Sequence, residues 1–281
     1  MSSLPSVAQV AQAFSQAARH YDAVAGLQRQ AADHLIGQCA SNLRGQVLDI
    51  GCGTGYLTRQ VLQQAAVTQV LGVDVAEGML DWCREHISDA RCDWLQADAQ
   101  ALPLADSSLD GVVSSLAIQW CADEQALFSN ISRVLRSDGR LFATTLGPDT
   151  LSELRWAWQQ VDDFQHVNEF VPQAELLHAV QPYFSQIDIQ VHTICLKFDK
   201  VSEILRELKQ LGASNHNLGA SRGLTTGNQL RSMTAAYESL RDEQGKLPVS
   251  YQIYTINAQQ PLACHCEQSE ATSGSLAMAV L

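Results

Sequence analysis

Residues 47–58, VLDIGCGTGYLT, run from a mostly apolar segment into three glycines that alternate with Cys52 and Thr54. Glycine has no side chain, so it permits a positive φ and lets the backbone come close to a ligand, at an entropic cost on folding. The apolar residues before the glycines favour a strand, and the residues after them can open a helix. The stretch therefore predicts a strand, a tight turn and a helix, with a ligand bound at the turn.

The spacing of the glycines separates the ligand classes that use such a turn. A phosphate-binding P-loop needs a lysine directly after its last glycine, and the first lysine of this chain is Lys197. The dinucleotide fingerprint needs a third glycine at the position where Tyr56 stands. Nucleotide hydrolysis at a P-loop is thereby excluded, and a dinucleotide oxidoreductase is disfavoured.

Two aspartates near the turn indicate the ligand. Asp74 ends the segment VLGVD, 21 residues after Gly53, where an acidic residue suits the two hydroxyls of a ribose, in NAD or in another adenosine. Asp49 lies inside the strand, where a carboxylate would repel a pyrophosphate but attract a ligand that carries an amine and a sulfonium. These residues favour S-adenosylmethionine. The other interpretation is a structural turn with two helix-capping aspartates.

The rest of the chain predicts an α/β fold. Apolar residues at three-to-four spacing over residues 7–38 indicate one or two leading helices. After Gly45, strand-like and helix-like segments alternate, which is typical of a mostly parallel sheet with helices on both faces. Beyond Thr150 we expect longer helices, the last two of them inserted between two late strands at the far edge of the sheet. The regions expected are a helical lid at 1–40, a cofactor-binding core at 41–147, a substrate-side insertion with the last strands at 148–260, and a disordered tail at 261–281.

Charge and cysteine content limit the possible partners. Thirty acidic and eighteen basic residues give a net charge of -12, which opposes binding to nucleic acid or to an anionic membrane. The chain has no apolar run of about 18 residues and its start does not read as a signal peptide, so we expect a cytoplasmic protein. The eight cysteines show no paired CxxC spacing, and no metal site is expected, including at Cys264, His265 and Cys266 in the tail.

Three segments together resemble the ordered motifs of class I methyltransferases: VLDIGCGTG, GVD at 72–74, and Asp98 within LQADAQALPL. The resemblance implies a Rossmann-like fold and S-adenosylmethionine as cofactor. It implies that the glycines pass under the methionyl part, that Asp74 holds the ribose and that Asp98 lies near the adenine. The cofactor-binding residues implied are Asp49, Gly51, Gly53, Gly55, Asp74, Val75, Met79, Asp98, Ala99 and Ser115.

Segments outside that core resemble a narrower family, the malonyl-acyl-carrier-protein O-methyltransferases of biotin synthesis. They are AFSQAARHYDAVAGLQRQAADHL at 13–35, LAIQWC at 116–121, LFATTLGPDTLSELRWAWQQVDD at 141–163 and LKQLGA at 208–213. The similarity covers residues 10–258. It implies methyl transfer to the free carboxylate of malonyl-acyl-carrier protein, which gives the methyl ester that primes pimeloyl formation for biotin.

That reaction needs no general base, because a carboxylate is already ionised at neutral pH. It needs the carboxylate to be held near the methyl group and stripped of water. Tyr21, on the leading helix, and Trp120, after the fourth strand, are the expected lid, and Arg222 is expected to hold the carboxylate. Core packing for the aromatics and a solvated loop for Arg222 are the alternative interpretations.

The carrier protein is expected to dock on a local basic surface, because acyl carrier proteins and this chain are both acidic. Between Cys195 and Ala235, six basic residues stand against three acidic ones. The basic residues are Lys197, Lys200, Arg206, Lys209, Arg222 and Arg231. A solvated helix face is the alternative interpretation of the same residues.

Two other functions stay open from the sequence. A class I methyltransferase acting on a small molecule, such as a quinone precursor, would need a general base near the methyl group. Residues 114–120 contain no His, Asp or Glu that could act as this base. A module that binds S-adenosylmethionine without catalysis would carry the same cofactor motifs.

Overall fold

The computed structural model describes residues 6–210 and 226–262. The helices of this part are α1 Val7–Val24, α2 Gly26–Cys39, α3 Tyr56–Leu62, α4 Glu77–His86, α5 Glu124–Val134, α6 Ser152–Gln159, α7 Gln173–Val180, α8 Val201–Gln210 and α9 Gly227–Glu238. The strands are β1 Gly45–Ile50, β2 Val67–Asp74, β3 Cys92–Gln96, β4 Leu109–Ser115, β5 Leu135–Leu146, β6 Phe184–Phe198 and β7 Leu247–Pro261. Arg222 and the tail cluster Cys264, His265 and Cys266 lie outside the described residues.

The strands of the described chain form one sheet in the order β3-β2-β1-β4-β5-β7-β6. The strands from β3 to β5 are parallel, whereas β7 is antiparallel to β5 and β6 is antiparallel to β7. The strand order reverses between β1 and β4, and ligands of such sheets bind at that point, in the crevice outside the carboxyl ends of the strands. The predicted fold class, a mostly parallel Rossmann-like sheet, is confirmed.

Apolar side chains cover both faces of the parallel strands, because successive residues of a strand point to opposite sides. Leu48 and Ile50 of β1 pack in one cluster with Phe128 of α5. Val47, which points to the other face, packs in a second cluster with residues of α2 and α3. Burial on both faces explains why residues 47–50 of β1 are apolar except for Asp49.

The two late strands extend the sheet beyond β5, with α8 and α9 inserted between them. These helices pack with α6 and β7 in a third apolar cluster, which includes Ile204, Met233 and Tyr237. Tyr237 is buried, and its hydroxyl donates to the carbonyl of Pro248 at 2.8 Å. This hydrogen bond fixes α9 to the start of β7. The expected helical insertion between the late strands is therefore confirmed.

The last strand runs further than the sequence predicted. The tail was expected from residue 261, but Pro261 pairs with Phe184 of β6, and the Leu262 amide donates to the Tyr183 carbonyl at 2.8 Å. The Ser132 hydroxyl of α5 also donates to the Leu262 carbonyl, at 3.0 Å. These contacts hold residues 261 and 262 at the sheet. The division of the chain at residues 40, 147 and 260 stays a prediction.

The first helix is capped at its start and packed against α4. The Gln9 amide donates to Ser6 Oγ at 3.3 Å, and the Ser6 amide donates to Gln9 Oε1 at 2.9 Å, which is a capping box. Further along, the Gly78 amide of α4 donates to Ser15 Oγ at 3.2 Å. A Cβ at position 78 would lie 2.8 Å from the carbonyl oxygen of Ser15, so glycine permits the close approach of the two helices.

The described part of the chain contains no helix that is both long and apolar enough to cross a bilayer. Within the same residues, no group of three or more His, Cys, Asp and Glu side chains is arranged to hold a metal ion.

Candidate active site

The glycine turn after β1 adopts a backbone that other residues rarely reach. Gly51, Gly53 and Gly55 have φ of 66°, 53° and 76°, all in the left-handed region. A Cβ on Gly51 would lie 2.2 Å from Cβ of Ala117, so the turn packs tightly against the end of β4. A Cβ on Gly53 would meet nothing within 4 Å. The turn therefore has no room for a side chain at position 51, whereas the space next to Gly53 is free for a ligand.

Asp74, at the carboxyl end of β2, is held by two backbone amides. Its Oδ2 accepts from the Gly53 amide at 3.0 Å, and its Oδ1 accepts from the Ala76 amide at 2.8 Å. Burial raises the pKa of this carboxyl, and the amide hydrogen bonds oppose the rise. A carboxylate has about four acceptor sites, so Asp74 can still bind the two hydroxyls of a ribose.

Asp49 is buried inside β1, with an exposed fraction of 1%. Its Oδ2 accepts from the Thr58 hydroxyl at 2.5 Å. Burial raises the pKa of Asp49 to about 7, the Thr58 hydrogen bond acts in the opposite direction, and the nearby Asp74 charge adds to the rise. A cationic ligand would therefore stabilise the ionised form of this carboxyl.

A cavity lies where the strands β1 to β4 end, and it encloses about 770 Å³ of empty space, its open mouth included. We call it the main cavity because most of the predicted site residues line it. This volume falls in the range of small-molecule sites. The sequence-predicted residues that line it are Tyr21, Gly51, Gly53, Asp74, Val75, Met79, Asp98, Ala99, Ser115 and Trp120. Asp49 lines a smaller adjoining cavity with Gln28 and Thr54. Gly55 does not line these two cavities and instead caps α3, next to Ile87.

Three aromatic rings close the main cavity on the side of α1. The ring centroid of Phe14 lies 6.2 Å from that of Tyr21 and 5.7 Å from that of Trp120, in both cases edge to face. Burial, together with the charges of Asp74 and Asp22, raises the pKa of Tyr21, so its hydroxyl stays protonated. Asp22 links α1 to the glycine turn, because its Oδ1 accepts a hydrogen bond from the Thr54 hydroxyl at 2.6 Å.

A second cavity lies on the other side of these aromatic rings. It shares Phe14, Tyr21, Leu116 and Trp120 with the main cavity and extends to the segment 166–170 that follows α6. We call it the acceptor cavity. Leu116 has a φ of 51°, a strained conformation for a non-glycine residue, and strain of this kind concentrates at functional sites.

The residues present fit S-adenosylmethionine. The empty space over Gly53 leaves room for a ligand against the turn, and Asp74 at the end of β2 offers a hydroxyl acceptor. Gln28 borders both the Asp49 cavity and the acceptor cavity, and its Oε1 is buried with no hydrogen-bond partner among the described residues. Such an orphaned acceptor needs a donor, which a ligand ammonium group can supply.

Sequence reasoning missed Phe14, Asp22, Gln28 and His166 as residues of the site. The first three lie on α1 and α2, whose apolar spacing indicated helices but not the residues that face a ligand. His166 lies in an irregular segment after α6 and lines the acceptor cavity. In the sequence, His166 is marked by an aspartate four residues earlier, Asp162, and this spacing is too common to identify a site residue.

Comparison with known proteins places the chain in a family. A family model described as a methyltransferase domain matches residues 48–143. A putative methyltransferase from Bacillus halodurans covers 83% of this chain and 100% of its own, with a TM-score of 0.57 at 16% identity, so this likeness concerns the fold. The YcgJ protein of Bacillus subtilis gives a TM-score of 0.54 at 19% identity, over 81% of this chain and 99% of its own.

Relatives with curated names are more similar in sequence. The biotin biosynthesis bifunctional protein BioHC of Cellvibrio japonicus is 45% identical over 88% of this chain and 49% of that protein, and BioHC of Teredinibacter turnerae is matched over 47% of its length. The chain thus spans about half the length of these bifunctional relatives. The malonyl-acyl-carrier protein O-methyltransferase of Serratia marcescens is 38% identical over 87% of this chain and 92% of its own length. The chain belongs to the malonyl-acyl-carrier protein O-methyltransferase family.

Proposed function

We propose that this protein transfers the methyl group of S-adenosylmethionine to the free carboxylate of a malonyl group on acyl carrier protein, giving the methyl ester that primes pimeloyl formation for biotin. The relative from Serratia marcescens is named as a malonyl-acyl-carrier protein O-methyltransferase, and this name supports the malonyl group as the acceptor. The observation that carries the proposal is the acceptor cavity, which meets the main cavity at Phe14, Tyr21 and Trp120. The cytoplasmic location expected from the sequence stays a prediction.

S-adenosylmethionine, when bound, supplies a methyl group on a positively charged sulfur. Gly51 and Gly53 would lie beneath its methionyl part, Asp49 and the orphaned Gln28 oxygen near its ammonium group, and Asp74 at the ribose hydroxyls. Val75, Met79, Asp98 and Ala99, which line the same cavity, would lie at the adenine, and Ser115 at the end of β4 would face the reacting methyl group. Asp49, the Gln28 oxygen and Asp74 would thus each meet a ligand group of complementary charge or hydrogen-bonding capacity.

The aromatic rings of the lid would exclude water from the reacting groups. An acceptor carboxylate and a sulfonium neutralise each other as the methyl group moves, so an environment that solvates charge poorly favours the transition state. Phe14, Tyr21 and Trp120 provide such an environment at the junction of the two cavities. Tyr21 keeps its proton and can also donate a hydrogen bond.

The test is to incubate the protein with labelled S-adenosylmethionine and malonyl-acyl-carrier protein and to detect the malonyl methyl ester by mass spectrometry. Label on a small-molecule acceptor but not on the malonyl group would favour the alternative methyltransferase, for which the His166 side chain of the acceptor cavity is an available base. Cofactor binding without any product would indicate a binding module.

The docking surface for the carrier protein is also a proposal. Arg206 and Lys209 are exposed on α8, whereas Ile204 of the same helix is buried. Glu203, the acidic residue next to this surface on α8, accepts with its Oε2 from the backbone amides of residues 199 and 200 at 3.2 Å each. Lys197, in contrast, pairs with Asp242 at 2.9 Å, so its charge is partly compensated. Lys200, Arg222 and Arg231 complete the proposed surface, with Arg222 outside the described residues.

The first prediction concerns Asp74 and the cofactor. Asp74→Ala should weaken S-adenosylmethionine binding by about 1 to 3 kcal/mol, because the ribose hydroxyls lose their charged acceptor. Asp81→Ala is the control, since Asp81 is an exposed residue of α4 that pairs with Arg84. Isothermal titration calorimetry measures both variants. Unchanged affinity in Asp74→Ala would remove Asp74 from the site, and tight binding of NAD would overturn the cofactor assignment.

The second prediction concerns the pH dependence of cofactor binding. Below pH about 7 the Asp49 carboxyl is protonated in the free protein, and a cationic ligand prefers its ionised form. Affinity for S-adenosylmethionine should therefore rise from pH 5 to 7, by at most about tenfold per pH unit. Calorimetry of Asp49→Asn should give a flatter profile. An equally steep rise in this variant would show that another group controls the pH dependence.

The third prediction concerns the lid. With both substrates saturating, turnover should be nearly constant from about pH 6 to 8, because the acceptor carboxylate, with a pKa of about 4, is already ionised. Tyr21→Ala should lower turnover more than cofactor affinity, and Tyr21→Phe, which keeps the ring, should lose less. Steady-state kinetics and calorimetry separate the two effects. A steep rise of turnover through pH 7, or a loss confined to cofactor affinity, would contradict this role.

The fourth prediction concerns docking. Reversing Arg206 and Lys209 to glutamate should raise the Michaelis constant for malonyl-carrier protein several fold, mainly through slower association, as should raising salt from about 0.05 to 0.5 M. A short malonyl thioester should be little affected. Arg44→Glu with Arg84→Glu, at exposed cations outside this surface, is the matched control. Unchanged kinetics after the reversal at 206 and 209 would place the docking surface elsewhere.

A further inference from the structure

The acceptor cavity has to hold an anion if the proposed function is correct, yet none of the described residues that line it is a lysine or an arginine. Most of its walls are apolar, including Leu27, Leu146 and Leu154. A carboxylate that leaves water for such a cavity needs a hydrogen-bond donor or an opposite charge to compensate its lost hydration. The side chain of this lining that can carry a positive charge is His166.

His166 is held in a fixed orientation by its neighbours. Its Nε2 lies 2.8 Å from Oδ1 of Asp162, and its ring stacks on Trp158 at a centroid distance of 3.7 Å and an interplanar angle of 9°. Asp162 also accepts from the Phe164 amide at 3.0 Å and from Gln229 Nε2 of α9 at 3.1 Å. Because Nε2 is engaged by Asp162, Nδ1 is the nitrogen that remains for a ligand.

The Asp162–His166 pair is shielded from solvent. The side chains of His166 and Asp162 are 11% and 13% exposed, which makes this ion pair the most buried of those in the described chain. Burial raises the pKa of Asp162, but the hydrogen bond from His166 and the Phe164 amide outweigh it and hold that pKa below its usual value. An ionised Asp162 stabilises a positive charge on the imidazole ring.

We propose that His166, as an imidazolium held by Asp162, donates a hydrogen bond from Nδ1 to the free carboxylate of the acceptor. This inference rests on the proposed function and names the residue that selects its acceptor. The sequence analysis expected Arg222 to hold this carboxylate, and Arg222 lies outside the described residues. The pair binds the carboxylate in the ground state, and the carboxylate loses its charge as it becomes an ester. The methyl ester product is then held less firmly than the acid, which promotes its release.

Other charged and titratable groups lie around the pair. Arg155, Asp163 and Glu169 line another cavity together with it, and Tyr21 and Tyr251 line the acceptor cavity together with His166. Loss of the His166 contact should raise the Michaelis constant for the acceptor, whereas turnover at saturation should not fall.

The experiment compares binding of an acid and its ester. Protein saturated with S-adenosylhomocysteine is titrated with a short malonyl thioester analogue that resists hydrolysis, and separately with its methyl ester. We expect the wild-type protein to bind the acid about tenfold or more tightly than the ester, the range for one charged hydrogen bond. In His166→Gln this ratio should fall towards one, and turnover at saturation should not fall, because loss of a contact that stabilises mainly the ground state does not raise the barrier from the bound complex.

Two further variants make the result specific. Asp162→Asn keeps a hydrogen-bond acceptor but removes the charge, so the ratio of acid to ester binding should fall part of the way towards one. His178→Gln, at an exposed histidine of α7 that pairs with Gln181, should behave as wild type. An unchanged acid-to-ester ratio in His166→Gln would overturn the proposal, as would a collapse of turnover with the ratio intact, which would identify a base. Failure of the wild type to methylate malonyl-carrier protein would instead contradict the proposed function.

Discussion

The hydrogen bond from the Gly53 amide to the Asp74 carboxylate joins the two elements on which the site depends. It links the end of β2 to the turn after β1, in which Gly51, Gly53 and Gly55 all take left-handed backbone conformations. The same turn packs against Ala117 after β4. Three strand ends are therefore brought together by a segment with almost no side chains, and a cavity opens above them.

Much of this arrangement could be predicted from the sequence, because it is encoded locally. The apolar run VLDI, the glycine spacing and Asp74 each lie within a short segment, and each has a distinct physical reason for its residue type. The two late strands were also recognisable, although the pairing of Pro261 with Phe184 shows that a strand end depends on its partner strand rather than on its own composition.

The acceptor side could not be predicted in the same way, because distant parts of the chain build it. Phe14 comes from α1, Gln28 from α2, Leu116 from the end of β4 and His166 from an irregular segment after α6. A helical pattern shows that α1 buries one face but not which residue reaches a ligand. The Asp162–His166 pair is flanked by the stacked Trp158 and by Gln229 of α9, and Gln229 stands 67 residues further along the chain than Asp162.

The contact between Gly78 and Ser15 has a consequence for reading natural variation in this protein. Position 78 lies in the first turn of α4 and lines none of the cavities described above, yet a side chain there would collide with the backbone of α1 at Ser15. A substitution at this position would displace the helix that carries Phe14 and Tyr21 while every residue in contact with the cofactor stays the same. A survey of variants confined to ligand-contacting residues would score such an allele as harmless.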